Sequence, residues 1–189
     1  MNKAVVHPLT SWLSKQPSWV FSIFAITASF CTYACMYAFR KPYSAAAFEG
    51  YEIAGMELKT ALIISQVIGY TLSKFLGIKF VSEMPAHRRI QSILGLIVFS
   101  EFALLGLWKA PVSWSWFFLL LNGLPLGMVW GLVFSFLEGR RNTELLGAGL
   151  SVSFIVSSGI VKSSGRYLML EFGLSDFAMP FFTGLLFVP

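Results

Sequence analysis

Long apolar runs and short polar breaks alternate along the whole chain. Six runs approach the roughly 20 residues that a helix rising about 1.5 Å per residue needs to cross about 30 Å of hydrocarbon. The first is Trp19 to Phe39, with an apolar continuation towards Phe48. Leu58 to Val81, Ile90 to Trp108, Trp114 to Leu137, and Leu145 to Val161 or Tyr167 follow. The last begins near Asp176 and is still apolar at Pro189. The pattern predicts an all-α polytopic transmembrane bundle of about six spans over residues 19–189, preceded by a polar segment over 1–18. Phe177 to Pro189 is short for a span. It reads as a span truncated within its length or, alternatively, as a re-entrant or interfacial segment.

Composition agrees with a lipid solvent. Hydrophobic residues make up 56% of the chain and charged residues 12%, against about 25% charged in a soluble domain. The net charge of +5 would raise nucleic acid as a partner if the basic residues lay on one face. They sit at the ends of the runs instead, so they are read as topology signals and no nucleic-acid partner is expected. Lys3, Lys15, Lys79, His87, Arg88, Arg89, Arg140 and Arg141 fall on one side, and Lys59, Lys109, Lys162 and Arg166 on the other. This bias places the N-terminus inside, and the expected location is the cytoplasmic membrane of a bacterium. The first run starts too late and extends too far for a cleavable signal peptide.

Few residues offer chemistry of the enzymatic kind. Cys31 and Cys35 share a helix face inside an apolar run and are expected to be packing residues, while His7 and His87 lie outside the runs. Walker, Rossmann and Gly-x-Ser-x-Gly patterns are absent. No enzyme activity, metal or cofactor is expected.

Charges inside spans are a different matter, because each costs about 2.5–3.5 kcal/mol on insertion scales and is a functional candidate. Arg40 with Lys41, Lys74, Glu101 and Lys162 qualify. Tyr33, Tyr37 and Arg40 recur at one helix face. Two phenols and a guanidinium suit an anion, since the arginine fork binds carboxylate or phosphate through two parallel hydrogen bonds. Arg40 and Lys41 are equally readable as the interfacial end of a helix, snorkelling to headgroups. The apolar tail Tyr43 to Phe48 favours a helix continuing past Arg40, and Pro42 opposes it. Gln66, Tyr70 and Lys74 share a face of the second run beside Ser73, and an ammonium at that depth calls for a water-filled cavity or a partner. Lys79, nearer the end, fits snorkelling better. Glu101 is a proton carrier or an ion-pair partner of Lys74 or Arg40, and depth alone does not choose. Gly123, Gly127 and Gly131 in the fourth run, and Gly149, Ser153 and Ser157 in the fifth, are small-residue stripes for close helix packing.

The run Tyr33-x-x-x-Tyr37-x-x-Arg40-Lys41-Pro42-Tyr43 resembles the first-helix motif of the organophosphate:phosphate antiporters, a branch of the major facilitator superfamily. Gly69-Tyr70-Thr71-Leu72-Ser73-Lys74-Phe75 is similar to that branch's second-helix motif. The resemblance implies the superfamily's N-terminal six-helix bundle, with Arg40 and Lys74 as substrate-binding cations and the tyrosines lining a cavity. It also implies a second six-helix bundle as partner. The loop Met84 to Arg89 lacks the superfamily's Asp-Arg-x-Gly-Arg core, and Ser157 and Ser158 stand where these antiporters commonly carry a histidine.

The expectation is one half of a secondary active transporter that moves a small organic anion, a phosphate ester or carboxylate, by alternating access. Arg40 and Lys74 would hold the anion, Tyr33, Tyr37, Gln66 and Tyr70 would orient it, and Glu101 would couple protons. The rival is a non-transporting six-helix interaction or assembly protein whose buried charges serve structure.

Overall fold

Prolines and glycines cut the apolar runs into helices. The computed structural model describes residues 8–13, 15–138 and 143–188. Lys3, His7, Arg140, Arg141 and Pro189 lie outside the described residues. A short helix α1 (Pro8–Leu13) precedes α2 (Ser18–Arg40), which starts directly after Pro17. Pro42 supplies no amide hydrogen and disfavours continued helix at its own predecessor. Accordingly α2 stops at Arg40, and a 3-10 turn occupies Pro42–Ala45. The apolar tail to Phe48 therefore does not extend the helix; it is buried as irregular backbone, with Pro42, Tyr43, Ala46 and Phe48 all inside.

A small hairpin follows, β1 (Glu52–Ile53) paired antiparallel with β2 (Met56–Glu57). Its turn residues Ala54 and Gly55 have φ of 53° and 77°, the positive values a tight two-residue hairpin turn demands. The remaining helices are α3 (Leu58–Ser82), α4 (Arg89–Lys109), α5 (Ser115–Phe134), α6 (Thr143–Phe172) and α7 (Met179–Leu186). Pro85 and Pro111 stand in the breaks before α4 and α5. Gly173, at φ 63°, follows the last residue of α6 in the left-handed conformation common just past helix ends.

Among the described residues, five helices are long and apolar enough to cross a membrane, and they correspond to the first five runs. The sixth run forms α7, whose 8 residues rise only about 12 Å. Ile155 is 80% exposed, Phe75 72% and Ile78 71%. Surfaces of this kind are stable against lipid and not against water. The chain is an all-α polytopic bundle and an integral membrane protein.

The glycine stripe of α5 sets the tightest packing. Cβ atoms added at Gly123, Gly127 and Gly131 would meet Gln66 and Tyr70, Ser73 and Tyr70, and Val81 of α3 in turn. The order shows that α3 and α5 run parallel, backbone against backbone. Likewise α2 and α6 run parallel: Ile26 meets Gly149, and Tyr33 and Tyr37 meet Phe154. Helix α4 lies antiparallel to α5, with Gly106 against Phe118 and Arg89 Nη1 donating to the Ser135 carbonyl at 3.0 Å.

Candidate functional site

The break after Arg40 lies well inside the bundle. The Arg40 carbonyl accepts a hydrogen bond from Gln66 Nε2 at 3.0 Å. Gln66 is a little over two turns, about 12 Å, from the Leu58 end of α3. The end of α2 therefore sits about two turns of α3 in from the Leu58 end of that helix. A helix that stops at such depth exposes carbonyls that lipid cannot satisfy, and the neighbouring helices supply amides for them. Asn122 Nδ2 of α5 donates to the Phe39 carbonyl at 3.1 Å and to the Ser100 carbonyl at 3.2 Å. Gln66 Nε2 also donates to Asn122 Oδ1 at 2.8 Å, and Gln66 Oε1 accepts from the Tyr43 hydroxyl at 3.1 Å. Ser44 closes the set by donating from its Oγ to the Lys41 carbonyl at 2.7 Å.

Above this network the Arg40 guanidinium lies over the Tyr70 ring, 4.0 Å from its centroid. The Lys74 ammonium is 5.0 Å from the same centroid. One aromatic ring thus carries two cations from two helices, each within cation–π range. The Tyr37 ring centroid lies 5.9 Å from the Arg40 guanidinium carbon, and the Tyr33 ring lies 5.5 Å from that of Tyr37. Phe154 of α6 backs the tyrosines, with its centroid 4.9 Å from Tyr33 and 6.1 Å from Tyr37. Lys74 itself is exposed, a little over two turns from the Ser82 end of α3. It lines a groove of about 500 Å³ between α3 and α5, with Gly77, Gly127 and Met128.

Tyr33, Tyr37, Arg40, Tyr70 and Lys74 are thus brought together. Gln66 is placed differently: it is 4% exposed and both amide hydrogens are spent on Arg40 and Asn122. Its part is to fix the end of α2. Glu101 is also elsewhere, facing Gly184 of α7, which the ring of Phe39 approaches as well. Both its oxygens are buried and make no hydrogen bond among the described residues. It forms no ion pair with Arg40 or Lys74, so that reading of Glu101 is set aside.

Asn122 and Phe154 are the residues that sequence reasoning missed. An amide in the middle of the fourth apolar run was a visible signal for Asn122. Nothing in the spacing of Phe154 distinguishes it from the other apolar residues of its helix.

Fold and site together define a polytopic helical membrane protein with two cations on one tyrosine ring. The chain belongs to DUF5690, a family of unknown function, whose model matches residues 42–189. The match includes Gln66, Tyr70, Lys74, Glu101 and Asn122, while Tyr33, Tyr37 and Arg40 precede it. Neither the curated proteins nor the solved structures give a match to the chain.

Proposed function

We propose that this chain is one helical bundle of a secondary active transporter for a small organic anion, a phosphate ester or carboxylate. The observation that carries the reading is the placement of Arg40 and Lys74 on the Tyr70 ring, inside the span, with no carboxylate partner among the described residues. Intramembrane cations are costly unless something neutralises them, and a transported anion would do so. The rigid end of α2 supports a binding role, because the Gln66–Asn122 network fixes the backbone from which Arg40 projects. The parallel pairing of α2 with α6 and of α3 with α5 is compatible with an N-terminal bundle of the major facilitator type. Tyr33 and Tyr37 are buried within this bundle, so on this reading a second bundle faces Arg40, Tyr70 and Lys74, which keep exposed surface, and alternating access moves the two bundles about the site. Glu101 carries the coupling proton, and the N-terminus lies in the cytoplasm of a bacterium.

Reconstituted vesicles containing the complete protein test the proposal. Arg40→Glu and Lys74→Glu abolish uptake of the transported anion while membrane insertion is unchanged. Uptake persisting in both variants rules the anion site out and favours a non-transporting assembly protein.

A further inference from the structure

Arg40 and Lys74 are not the only cations on these helices. Lys41 follows Arg40 directly, its amide closing the last turn of α2 on the Tyr37 carbonyl at 2.9 Å, and its side chain is half-buried. The turn that follows, Pro42–Ala45, packs against α6. Lys162 projects from α6 and is exposed. Because α2 and α6 run parallel, Lys162 lies about two turns beyond Phe154, and Lys41 one turn beyond Tyr37, both towards the Leu58 end of the bundle. Lys74 stands a turn beyond Tyr70 in the opposite direction. None of the four cations makes an ion pair among the described residues. The C-terminal dipole of α2 offers only about half a negative charge, so an anion bound at Arg40 and Lys74 leaves Lys41 and Lys162 uncompensated.

We infer that Lys41 and Lys162 form a second anionic-oxygen subsite next to Arg40, so that the preferred solute carries two separated anionic groups. The inference rests on the anion-site reading above. One group lies at Arg40 and Lys74, and the other, a carboxylate or phosphate, lies between α2 and α6 on the Leu58 side. A lipid headgroup phosphate offers the same chemistry as the second group of a soluble dianion, and the two sources are separable.

The full chain in phosphatidylcholine nanodiscs is titrated calorimetrically with butyrate and with the dicarboxylates from succinate to adipate. The best-fitting dicarboxylate binds about tenfold tighter than butyrate, as one added charge-assisted contact predicts. Lys41→Gln and Lys162→Gln each remove that preference and leave butyrate binding nearly unchanged, whereas Arg40→Gln weakens both ligands. Lys162→Gln keeps the test valid if Lys41→Gln fails to fold, because the Lys162 side chain is exposed. A preference that survives both lysine variants overturns the subsite and leaves the Arg40 site standing. Butyrate binding unaffected by Arg40→Gln, or no binding of either probe, overturns the underlying site as well. No dicarboxylate preference, with thermal stabilisation by phosphatidylglycerol that both lysine variants lose, assigns the pair to lipid and overturns the solute subsite.

Discussion

The amide of Gln66 donates to the backbone carbonyl of Arg40 at 3.0 Å, which joins the broken end of α2 to the interior of α3. With Asn122 on the Phe39 carbonyl, it provides within the bundle the hydrogen bonds that water provides at an ordinary helix end. The break is thus a built feature. It fixes the backbone from which the Arg40 side chain projects.

Replacing Asn122 by leucine removes three hydrogen bonds at nearly constant volume and leaves the Phe39 carbonyl at the end of α2 without its donor. Bonds of this kind are worth about 0.6–2 kcal/mol each in membranes, so the loss is about 2 kcal/mol or more. Gln66→Leu costs a similar amount. The double variant costs less than the sum, because the two residues share a bond. Reversible unfolding in mixed micelles measures all three, and strictly additive losses would contradict the shared network.

The contact between α3 and α5 predicts a sharp contrast among glycines. A Cβ at Gly127 would stand 2.8 Å from the Tyr70 carbonyl oxygen and as close to Ser73 Cβ, so Gly127→Ala forces the helices apart. At Gly159 nothing lies within 4 Å, and Gly159→Ala is neutral or slightly stabilising by helix propensity. Melting temperatures of the two variants, compared with the unmodified chain, check the contrast.

Tyr70 serves the cations through its ring. Tyr70→Phe retains the aromatic face and keeps anion affinity close to the original. Tyr70→Leu removes both cation–π contacts, each worth about 0.5–2 kcal/mol, and weakens anion binding. Equal effects of the two substitutions would assign the role to the hydroxyl instead of the ring.

Glu101 presses on Gly184 with no hydrogen-bond partner. Glu101→Gln preserves its shape in neutral form, so the variant folds and still exchanges anions across the membrane. Accumulation driven by a proton gradient is lost. Accumulation that survives in this variant assigns the coupling elsewhere.

The five long helices were legible because hydropathy over 20 residues is a strong signal and lipid enforces it. The facing of α5 on α3 was legible in part, as the four-residue spacing of Gly123, Gly127 and Gly131 marks a packing stripe without naming the partner. The fate of residues 41–48 was not: apolar residues suit buried irregular backbone as well as helix, and Pro42 alone did not decide. Helical spacing grouped Gln66 with Tyr70 and Lys74, yet spacing is blind to the carbonyls exposed by a break on another helix. Those carbonyls are what claim Gln66 and Asn122. Glu101 was legible as an anomaly, but its separation from Arg40 depends on how α4 meets α7.

The account stands most directly on an anion contacting Arg40 inside the bundle. Solid-state NMR of the complete protein in bilayers, with nitrogen-15 arginine side chains and bound inorganic phosphate, reads phosphorus-to-guanidinium proximity. A contact at hydrogen-bonding range that disappears in Arg40→Lys is the expected result. A phosphate that shows no arginine contact, or one that survives this substitution unchanged, would contradict it.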